Sequence, residues 1–208
     1  MPTIETICTF FVTALIMGLA PGPDIIFVLT QSALYGARAG ISTMFGLLTG
    51  ICGHTTAVAL GVAALFQTSE LAFSVLKFAG AAYLLYLAWL SFRSGASTAH
   101  LERSKFPGYW ALYRRGVIMN ITNPKVTLFF LAFLPQFVDP ARGNVSLQII
   151  LFGLLFQLAS LLVFGTVSLL GGKLAERFNR SVRGQLIMNR IAGTVFVVLA
   201  LALLFSSR

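Results

Sequence analysis

The sequence predicts an all-α integral membrane protein with six transmembrane helices, arranged as two inverted three-helix repeats. Hydrophobic residues make up 57% of the 208-residue chain and charged residues 10%, whereas soluble domains contain roughly 25% charged residues. A bilayer span needs about 20 mostly apolar residues, so six spans with short loops nearly fill this length. We therefore expect residues 1–208 to form a single transmembrane domain without a separate catalytic domain.

The apolar stretches predict six helices in a repeated order. The first and fourth are interrupted by proline, the second and fifth are the longest uncharged stretches, and the third and sixth are shorter. The expected helices are 4–32, 40–66, 70–92, 115–138, 146–171 and 188–206. Repeat one covers about 1–93 and repeat two about 115–208, joined by a basic cytoplasmic loop at about 94–114. Because each repeat has three spans, the second enters the membrane inverted.

The distribution of Lys and Arg predicts the orientation of these helices. Eleven of the 15 Lys and Arg lie in or beside the loops 33–40, 92–114 and 173–190, and the opposite side carries Arg142 and Arg208. This bias predicts that both termini lie on the periplasmic or extracellular side. The net charge of +9 then reflects topology and does not indicate nucleic-acid binding, since the basic residues are spread over short loops.

Two proline-containing breaks each place one ionisable residue inside an apolar helix. Asp24 follows the first break and Lys125 the second; they are 101 residues apart, and 13 uncharged residues follow each. The breaks consist of Pro21, Gly22 and Pro23 in the first helix and of Asn120, Asn123 and Pro124 in the fourth. Hydrocarbon cannot hydrogen-bond a bare backbone, so such breaks occur only where protein or a wet cavity satisfies them. They therefore predict a binding site.

Both breaks are expected to start a new half-helix within the membrane. Pro23 is suited to the first turn of one, and Asn123 can cap the other, which Pro124 begins. Free N–H groups at such ends attract anions, for example a substrate carboxylate. Asp24 binds substrate or a proton, or is simply favoured by the helix dipole. Lys125 opposes that dipole, so it needs Asp24, a substrate carboxylate or access to the membrane surface.

A stripe on the second span combines small residues with a histidine. Gly46, Gly50, His54 and Gly61 lie on one side of this helix at 100° per residue. Gly46 and Gly50 predict close packing against another helix. His54 either lines the transport pathway, contacting substrate or titrating with a proton gradient, or forms an interhelical hydrogen bond.

Other polar residues in the spans have two interpretations. Tyr83, Gln136 and Gln157 either complete a pocket or join helices by hydrogen bonds. Cys8 and Cys52 lack the spacing of a metal site and are interpreted as small core residues. We expect no metal and no cofactor.

The motifs resemble the LysE/RhtB amino-acid exporters of bacteria, of the homoserine/threonine efflux type. The matching segments are 20–24 (APGPD), 32–40, 46–54, 77–86 (KFAGAAYLLY) and 120–138 (NITNPKVTLFFLAFLPQFV). The resemblance extends over nearly the whole chain. It implies export of amino acids or close derivatives across the inner membrane, driven by the proton gradient.

The expected protein is a secondary active exporter and not an enzyme. Its partners would be a small amino-acid substrate, protons and membrane lipid, with no nucleic acid; a homodimer is left open. A neutral substrate such as homoserine, threonine or a lactone is expected, because Asp24 is the only clear intramembrane acid. The alternatives are a structural membrane subunit or an integral-membrane enzyme. An enzyme would need catalytic groups clustered at one depth, and the sequence offers no such cluster.

Overall fold

The computed structural model describes residues 1–68, 70–95, 105–180 and 182–205, which form helices and no strand. Between α6 and α7 lie a π-helical turn (Phe129–Phe133) and two 3-10 helices (Leu134–Phe137 and Pro140–Arg142). The α-helices are α1 (Ile4–Leu19), α2 (Pro23–Tyr35), α3 (Ala37–Thr68), α4 (Glu70–Arg93), α5 (Tyr109–Thr122), α6 (Pro124–Leu128), α7 (Val145–Arg180) and α8 (Val182–Phe205).

The described helices are those of a multi-span membrane protein. In α3, α7 and α8, single stretches are long and apolar enough to cross a bilayer. Two bent pairs of helices give two further spans if each pair counts as one span. Helices α1 and α2 meet at 57°, and α5 meets the segment Pro124–Phe137 at 49°. These bends confirm that proline interrupts the first and fourth predicted spans. The 24-residue helix α4 lies where the third span is predicted, but it is not among the described stretches that are long and apolar enough, so three to five of the six predicted spans are supported. The inverted repeat itself remains a prediction.

Several predicted boundaries are wrong. Helix α5 begins at Tyr109, so part of the predicted basic loop is helical, and α8 begins at Val182. Helix α7 continues to Arg180, into the segment 173–190 for which the sequence allowed either a loop or an amphipathic interfacial helix. The predicted helix ends were set where charged residues interrupt the apolar stretches. A helix can, however, continue beyond the hydrocarbon into the polar interface. Residues 96–104 of the predicted loop and Arg208 lie outside the described residues.

The packing joins matching helices of the two halves. Helices α3 and α7 pack along each other, and α4 packs along α8. Helix α5 packs on α3, and α1 packs on α7. Helix α2 also packs on α7, and among the described residues no comparable contact joins α3 to α6.

The glycine stripe of α3 allows a close approach of α5. A Cβ on Gly46 would lie 2.1 Å from the Tyr113 carbonyl oxygen, and one on Gly50 would lie 2.5 Å from Asn120 Oδ1. Gly116 on α5 is equally restricted by the carbonyl oxygen of Thr43, at 2.5 Å. This backbone proximity agrees with the packing expected for the stripe. Gly61 has open space around its Cα and takes no part.

Contacts between loops define two ends of the helix bundle. At one end, here the N-terminal face, the Met1 ammonium donates to the carbonyl of Arg142. At the other end, here the loop face, the Tyr35 ring lies 5.3 Å from the ring of Phe106. Asn189 Nδ2 also donates there to the Ser94 carbonyl at 3.2 Å. The described parts of the three basic loops thus meet at one end, as the charge bias requires.

Apolar side chains cover much of the outer surface. Leu60 is 75% exposed and Leu169 is 67% exposed, as expected for residues that face lipid. Cys8 and Cys52 are exposed as well, so their interpretation as core residues is wrong. Cysteine is apolar enough for either environment, and a uniformly apolar helix has no pattern that shows which face is buried.

Candidate functional site

The first break leaves the end of α1 open to a partner from the second break. Helix α1 ends at Leu19, and the extended backbone of Ala20 turns the chain away. Lys125 Nζ donates to the carbonyl oxygen of Ala20 at 2.9 Å. The ring of Phe196 on α8 lies 5.8 Å from the same ammonium. Because the C-terminal end of a helix carries a partial negative charge, this position stabilises a buried cation.

The second break is capped on both sides. Asn123 Oδ1 accepts from the backbone N–H of Lys125 at 3.0 Å, so it caps the short helix that Pro124 begins. Pro124 has no N–H, so the Asn120 carbonyl loses its helical donor. The Asn123 N–H, at 3.1 Å, and His54 Nε2, at 3.2 Å, replace it. A carbonyl oxygen only accepts, so His54 Nε2 carries the hydrogen.

A side-chain hydrogen bond joins the two breaks directly. Asn120 Nδ2 donates to Asp24 Oδ2 at 3.1 Å, and both side chains are buried. Asp24 lies in the first turn of α2, after Pro23. Within the described part of the chain, Asp24 and Lys125 form no ion pair; each instead binds a neutral group across the gap. The structure therefore brings together residues about 100 positions apart.

Several polar atoms around the breaks lack a hydrogen-bond partner. Asp24 Oδ1, Asn120 Oδ1 and Asn123 Nδ2 are buried and have no partner among the described residues. The neighbouring bonds fix the amide orientations: Asn120 donates through Nδ2 to a carboxylate, and Asn123 accepts through Oδ1 from an N–H. Asp24 Oδ1 and Asn120 Oδ1 thus have spare acceptor capacity and Asn123 Nδ2 has spare donor capacity, although the Asn123 amide lies close enough to the Asp24 carboxyl to interact with it. Unpartnered buried groups are costly, so they indicate a place for a ligand or water.

A cavity of about 20 Å³ lies at these atoms. Its polar lining residues are Asp24, Asn120, Lys125 and Ser160, and its apolar ones are Met17, Gly18, Ile25, Ile51, Val126, Phe156 and Phe164. A water molecule needs about 10–15 Å³ by the same measure. The cavity therefore accommodates one water and no amino acid.

An aromatic cluster lies between this cavity and the N-terminal face. The Phe10 ring on α1 lies 5.1 Å from that of Phe137 and 4.7 Å from that of Phe152 on α7. Phe129 in the π-helical turn connects Phe10 to Phe156 at the cavity, with centroids 6.0 and 5.0 Å apart. Beyond Phe137, an open pocket of about 430 Å³ includes Glu5, Gln136, Asp139 and Arg142. We call Phe10, Phe129, Phe137, Phe152 and Phe156 the aromatic seal.

On the opposite side of the cavity, toward the loop face, helices α2, α3 and α7 pack closely through small residues. A Cβ on Gly40 of α3 would lie 1.8 Å from Ser32 Oγ on α2, and one on Gly171 of α7 would lie 2.2 Å from Ser32 Cβ. Ser168 lies in the same contact, and neither serine hydroxyl has a partner among the described residues. We call Ser32, Gly40, Ser168 and Gly171 the small-residue seal.

The structure places three of the predicted pocket residues away from the cavity. Tyr83 is half-buried on α4, beside Tyr86. Gln136 lines the open pocket at the N-terminal face. Gln157 contacts Cys52 on the outside of α3, with its Nε2 at 3.4 Å from the sulfur. Their polarity within apolar stretches did not reveal which side of each helix they occupy.

Sequence reasoning missed residues that do surround the breaks. Ser160 lines the cavity, and Phe196 contacts the Lys125 ammonium. Neither residue stands out in an apolar span, because serine and phenylalanine are common there. Asn120 was recognised as part of the break, whereas its bond to Asp24 was not predicted.

Broken helices, a lipid-facing apolar surface and a closed polar site between the breaks define a multi-pass membrane protein of the transporter class. The chain belongs to the LysE type translocator family, whose sequence profile matches residues 15–207. The resemblance inferred from the motifs is thus confirmed.

Relatives support this assignment along the whole chain. A homoserine/homoserine lactone efflux protein of Salmonella typhimurium is 31% identical over 208 residues, covering 99% of this chain and 98% of the relative. An uncharacterised membrane protein of Vibrio cholerae is 31% identical over 191 residues, covering 90% and 91%. One of Pseudomonas aeruginosa is 32% identical over 192 residues, covering 88% of each chain. No solved structure matches significantly.

Proposed function

We propose that this protein is a secondary active exporter of neutral amino acids or close derivatives. The observation that carries the proposal is the grouping of free acceptors and donors at the joined breaks. Asp24 Oδ1 and Asn120 Oδ1 are acceptors without a full hydrogen bond, and Asn123 Nδ2 is such a donor near the Asp24 carboxyl. The Lys125 ammonium lies at the Ala20 carbonyl, across the gap between the breaks. A zwitterion carries the complementary groups on adjacent atoms: an ammonium that donates and a carboxylate that accepts.

In the proposed complex, Asp24 and Asn120 hold the substrate ammonium, and Lys125 holds the carboxylate. Asn123 lies outside the cavity lining, and its amide interacts with the Asp24 carboxyl, so it would bind the substrate carboxylate only after the site opens. His54 keeps Asn120 in place through the Asn120 carbonyl. Charge-assisted hydrogen bonds of this kind are roughly twice as strong as neutral ones, and they favour a molecule with both groups.

Substrate binding would compete with the contacts that join the breaks. The carboxylate replaces the Ala20 carbonyl as the acceptor for Lys125, and the ammonium replaces the Asn120 amide at Asp24. Loss of these contacts allows the half-helices to separate, so the aromatic seal and the small-residue seal can open in turn. Rocking of the two halves about a central site is the usual route of alternating access.

The proposed energy source rests on the acidic side chain of Asp24, and the proposed orientation rests on the basic loops. Asp24 can take up a proton when no substrate is bound, which would couple export to the proton gradient across the inner membrane. In this proposal the loop face lies in the cytoplasm and both termini lie on the periplasmic or extracellular side, because basic loops favour the cytoplasm. The Salmonella typhimurium relative is named for efflux of homoserine and its lactone, and of these two homoserine is the zwitterion that fits the proposed complex.

Transport by purified protein in proteoliposomes tests the proposal. Homoserine and threonine flux would be measured with and without a pH gradient, for the parent and for Asp24→Asn and Lys125→Met. We expect gradient-dependent flux in the parent and at least a tenfold loss in each variant at equal protein levels. Gly53→Ala is the matched control, because a Cβ there meets open space. Undiminished flux in both site variants would refute the assignment, and absence of any amino-acid flux in the parent would favour another function.

A further inference from the structure

The wall of the cavity formed by α7 contains one polar group between two aromatic rings. Phe156, Ser160 and Phe164 line the cavity from this helix. Their spacing of four residues places them on one side of α7. The wall is therefore apolar except for the hydroxyl of Ser160.

The Ser160 hydroxyl is free, unlike many hydroxyls in these helices. Thr55 donates to the Ile51 carbonyl at 2.9 Å, and Thr166 donates to the Leu162 carbonyl at 2.7 Å, each one turn back. Ser160 is 2% exposed, and none of the hydrogen bonds in the described part of the chain uses its side chain. Burial of a hydroxyl without a partner costs free energy, so a ligand that supplies a partner is favoured.

Because other cavity residues bind the ammonium and the carboxylate, the α7 wall remains available for the substrate side chain. In the proposed complex, Asp24, Asn120 and Lys125 bind the ammonium and carboxylate, which are both attached at Cα. The substrate side chain then extends toward the remaining lining, where Ser160 lies between Phe156 and Phe164.

We propose that Ser160 is a specificity-determining residue that hydrogen-bonds an oxygen on the substrate side chain. The carrier then prefers amino acids with a hydroxyl or carbonyl oxygen near Cα over apolar molecules of the same shape. This inference rests on the proposed function of the site. One hydrogen bond corresponds to about a three- to tenfold preference.

Two pairs of nearly isosteric substrates test the inference. Threonine differs from valine, and homoserine from norvaline, by a hydroxyl in place of a methyl group. The ratio of transport rates within each pair would be measured in proteoliposomes for the parent and Ser160→Ala. We expect a ratio of about three to ten in the parent and close to one in the variant. Thr166→Val is the control, because it removes an exposed hydroxyl of α7 outside the cavity.

The possible results distinguish a failure of the role proposed for Ser160 from a failure of the exporter assignment. Equal transport within both pairs by the parent, or an unchanged ratio in Ser160→Ala, overturns the role of Ser160 and leaves the exporter assignment standing. Absence of flux for all four substrates in the parent refutes the exporter assignment itself. If Ser160→Ala protein is not recovered, Ser160→Cys gives the same comparison, since a thiol fills the space and hydrogen-bonds weakly. A lowered ratio supports the inference, and an unchanged one overturns it.

Discussion

The Lys125 ammonium lies 2.9 Å from the carbonyl oxygen of Ala20, so a residue of the second helix break caps the helix that ends at the first. The Cβ of any residue replacing Gly22 would lie 3.2 Å from the same nitrogen, so glycine provides room for this approach. Asn120 forms the second connection, to Asp24. The two halves are thus joined at the atoms that the proposed substrate would contact.

Gly50→Ala should impair transport by displacing Asn120. A Cβ at Gly50 would lie 2.5 Å from Asn120 Oδ1 and 2.7 Å from its Cβ, so the amide must move away from Asp24. We expect a loss of stability of about 1–3 kcal/mol and at least a tenfold lower flux. Flux normalised to folded protein checks this. Gly53→Ala, on the same helix with open space around it, should behave as the parent; equal flux in both variants would contradict the role of Asn120.

His54→Leu should weaken the second break, because the Asn120 carbonyl loses its donor from α3. The carbonyl keeps the Asn123 N–H as a donor, so the variant loses one hydrogen bond, about 0.5–1.5 kcal/mol. We expect a lower melting temperature in detergent together with reduced flux. His54→Gln retains an N–H donor and should restore most of both quantities. If Gln and Leu are equally defective, the imidazole has a role beyond this hydrogen bond, such as proton transfer.

Phe10→Leu should loosen the aromatic seal. The Phe10 ring contacts those of Phe137 and Phe152, and such aromatic pairs contribute about 0.5–1.5 kcal/mol each beyond their burial. We expect a Met17→Cys side chain in the cavity to react about two- to tenfold faster with an impermeant thiol reagent added at the N-terminal face. Cys8 and Cys52 would first be replaced by Ala. Phe205→Leu, 83% exposed on α8, is the control, and equal rates in both variants would exclude Phe10 from the seal.

Gly171→Ala should keep the small-residue seal from closing. A Cβ at Gly171 would lie 2.2 Å from Ser32 Cβ, whereas one at Gly165 on the same helix would lie 3.8 Å from its nearest neighbour, Met44 Sδ. We expect the Met17→Cys thiol to react faster from the loop face in Gly171→Ala and net export to fall. Gly165→Ala should match the parent in both measurements. Unchanged labelling in Gly171→Ala would show that α2 and α7 do not close this route.

Gln148→Leu should release the loop at the N-terminal face. The buried Gln148 amide donates to the carbonyl of Asp139 at 2.8 Å and to that of Gly143 at 3.2 Å, and it accepts from the Asp139 N–H at 3.1 Å. Leucine keeps the volume and removes these bonds, so proteolysis within 139–144 should become faster. Arg142→Gln, which removes an exposed ion pair with Asp139, should change it little, since such pairs contribute about 0–1 kcal/mol. Equal protection in both variants would contradict the role of Gln148.

Local signals explain which features could be predicted from the sequence. The breaks at Pro23 and Pro124 were predictable because a proline removes a backbone donor wherever it stands. Asn123 could be assigned as a cap from its place before Pro124. The ends of α5, α7 and α8 were misplaced, since charge marks the edge of the hydrocarbon and not the end of a helix.

Side-chain partners within the site were not predictable in the same way. Lys125 was recognised as needing a partner, and three candidates were open; the structure adds a fourth, the carbonyl of Ala20. Ser160 and Gln157 are both polar residues of α7, yet only Ser160 faces the cavity. The side of a uniformly apolar helix that faces inward depends on its neighbours, and such a sequence has no polar face to reveal it.

The sequence by itself determined the membrane class, the family and the two charged breaks, because composition and backbone chemistry act within a few residues. Only the tertiary structure decided that Lys125 meets Ala20 and that Asn120 meets Asp24. These contacts join residues about 100 positions apart, and they depend on how α3, α5 and α7 pack around the breaks. Close packing at Gly46, Gly50 and Gly116 sets these positions, since no local rule specifies which helix lies beside which.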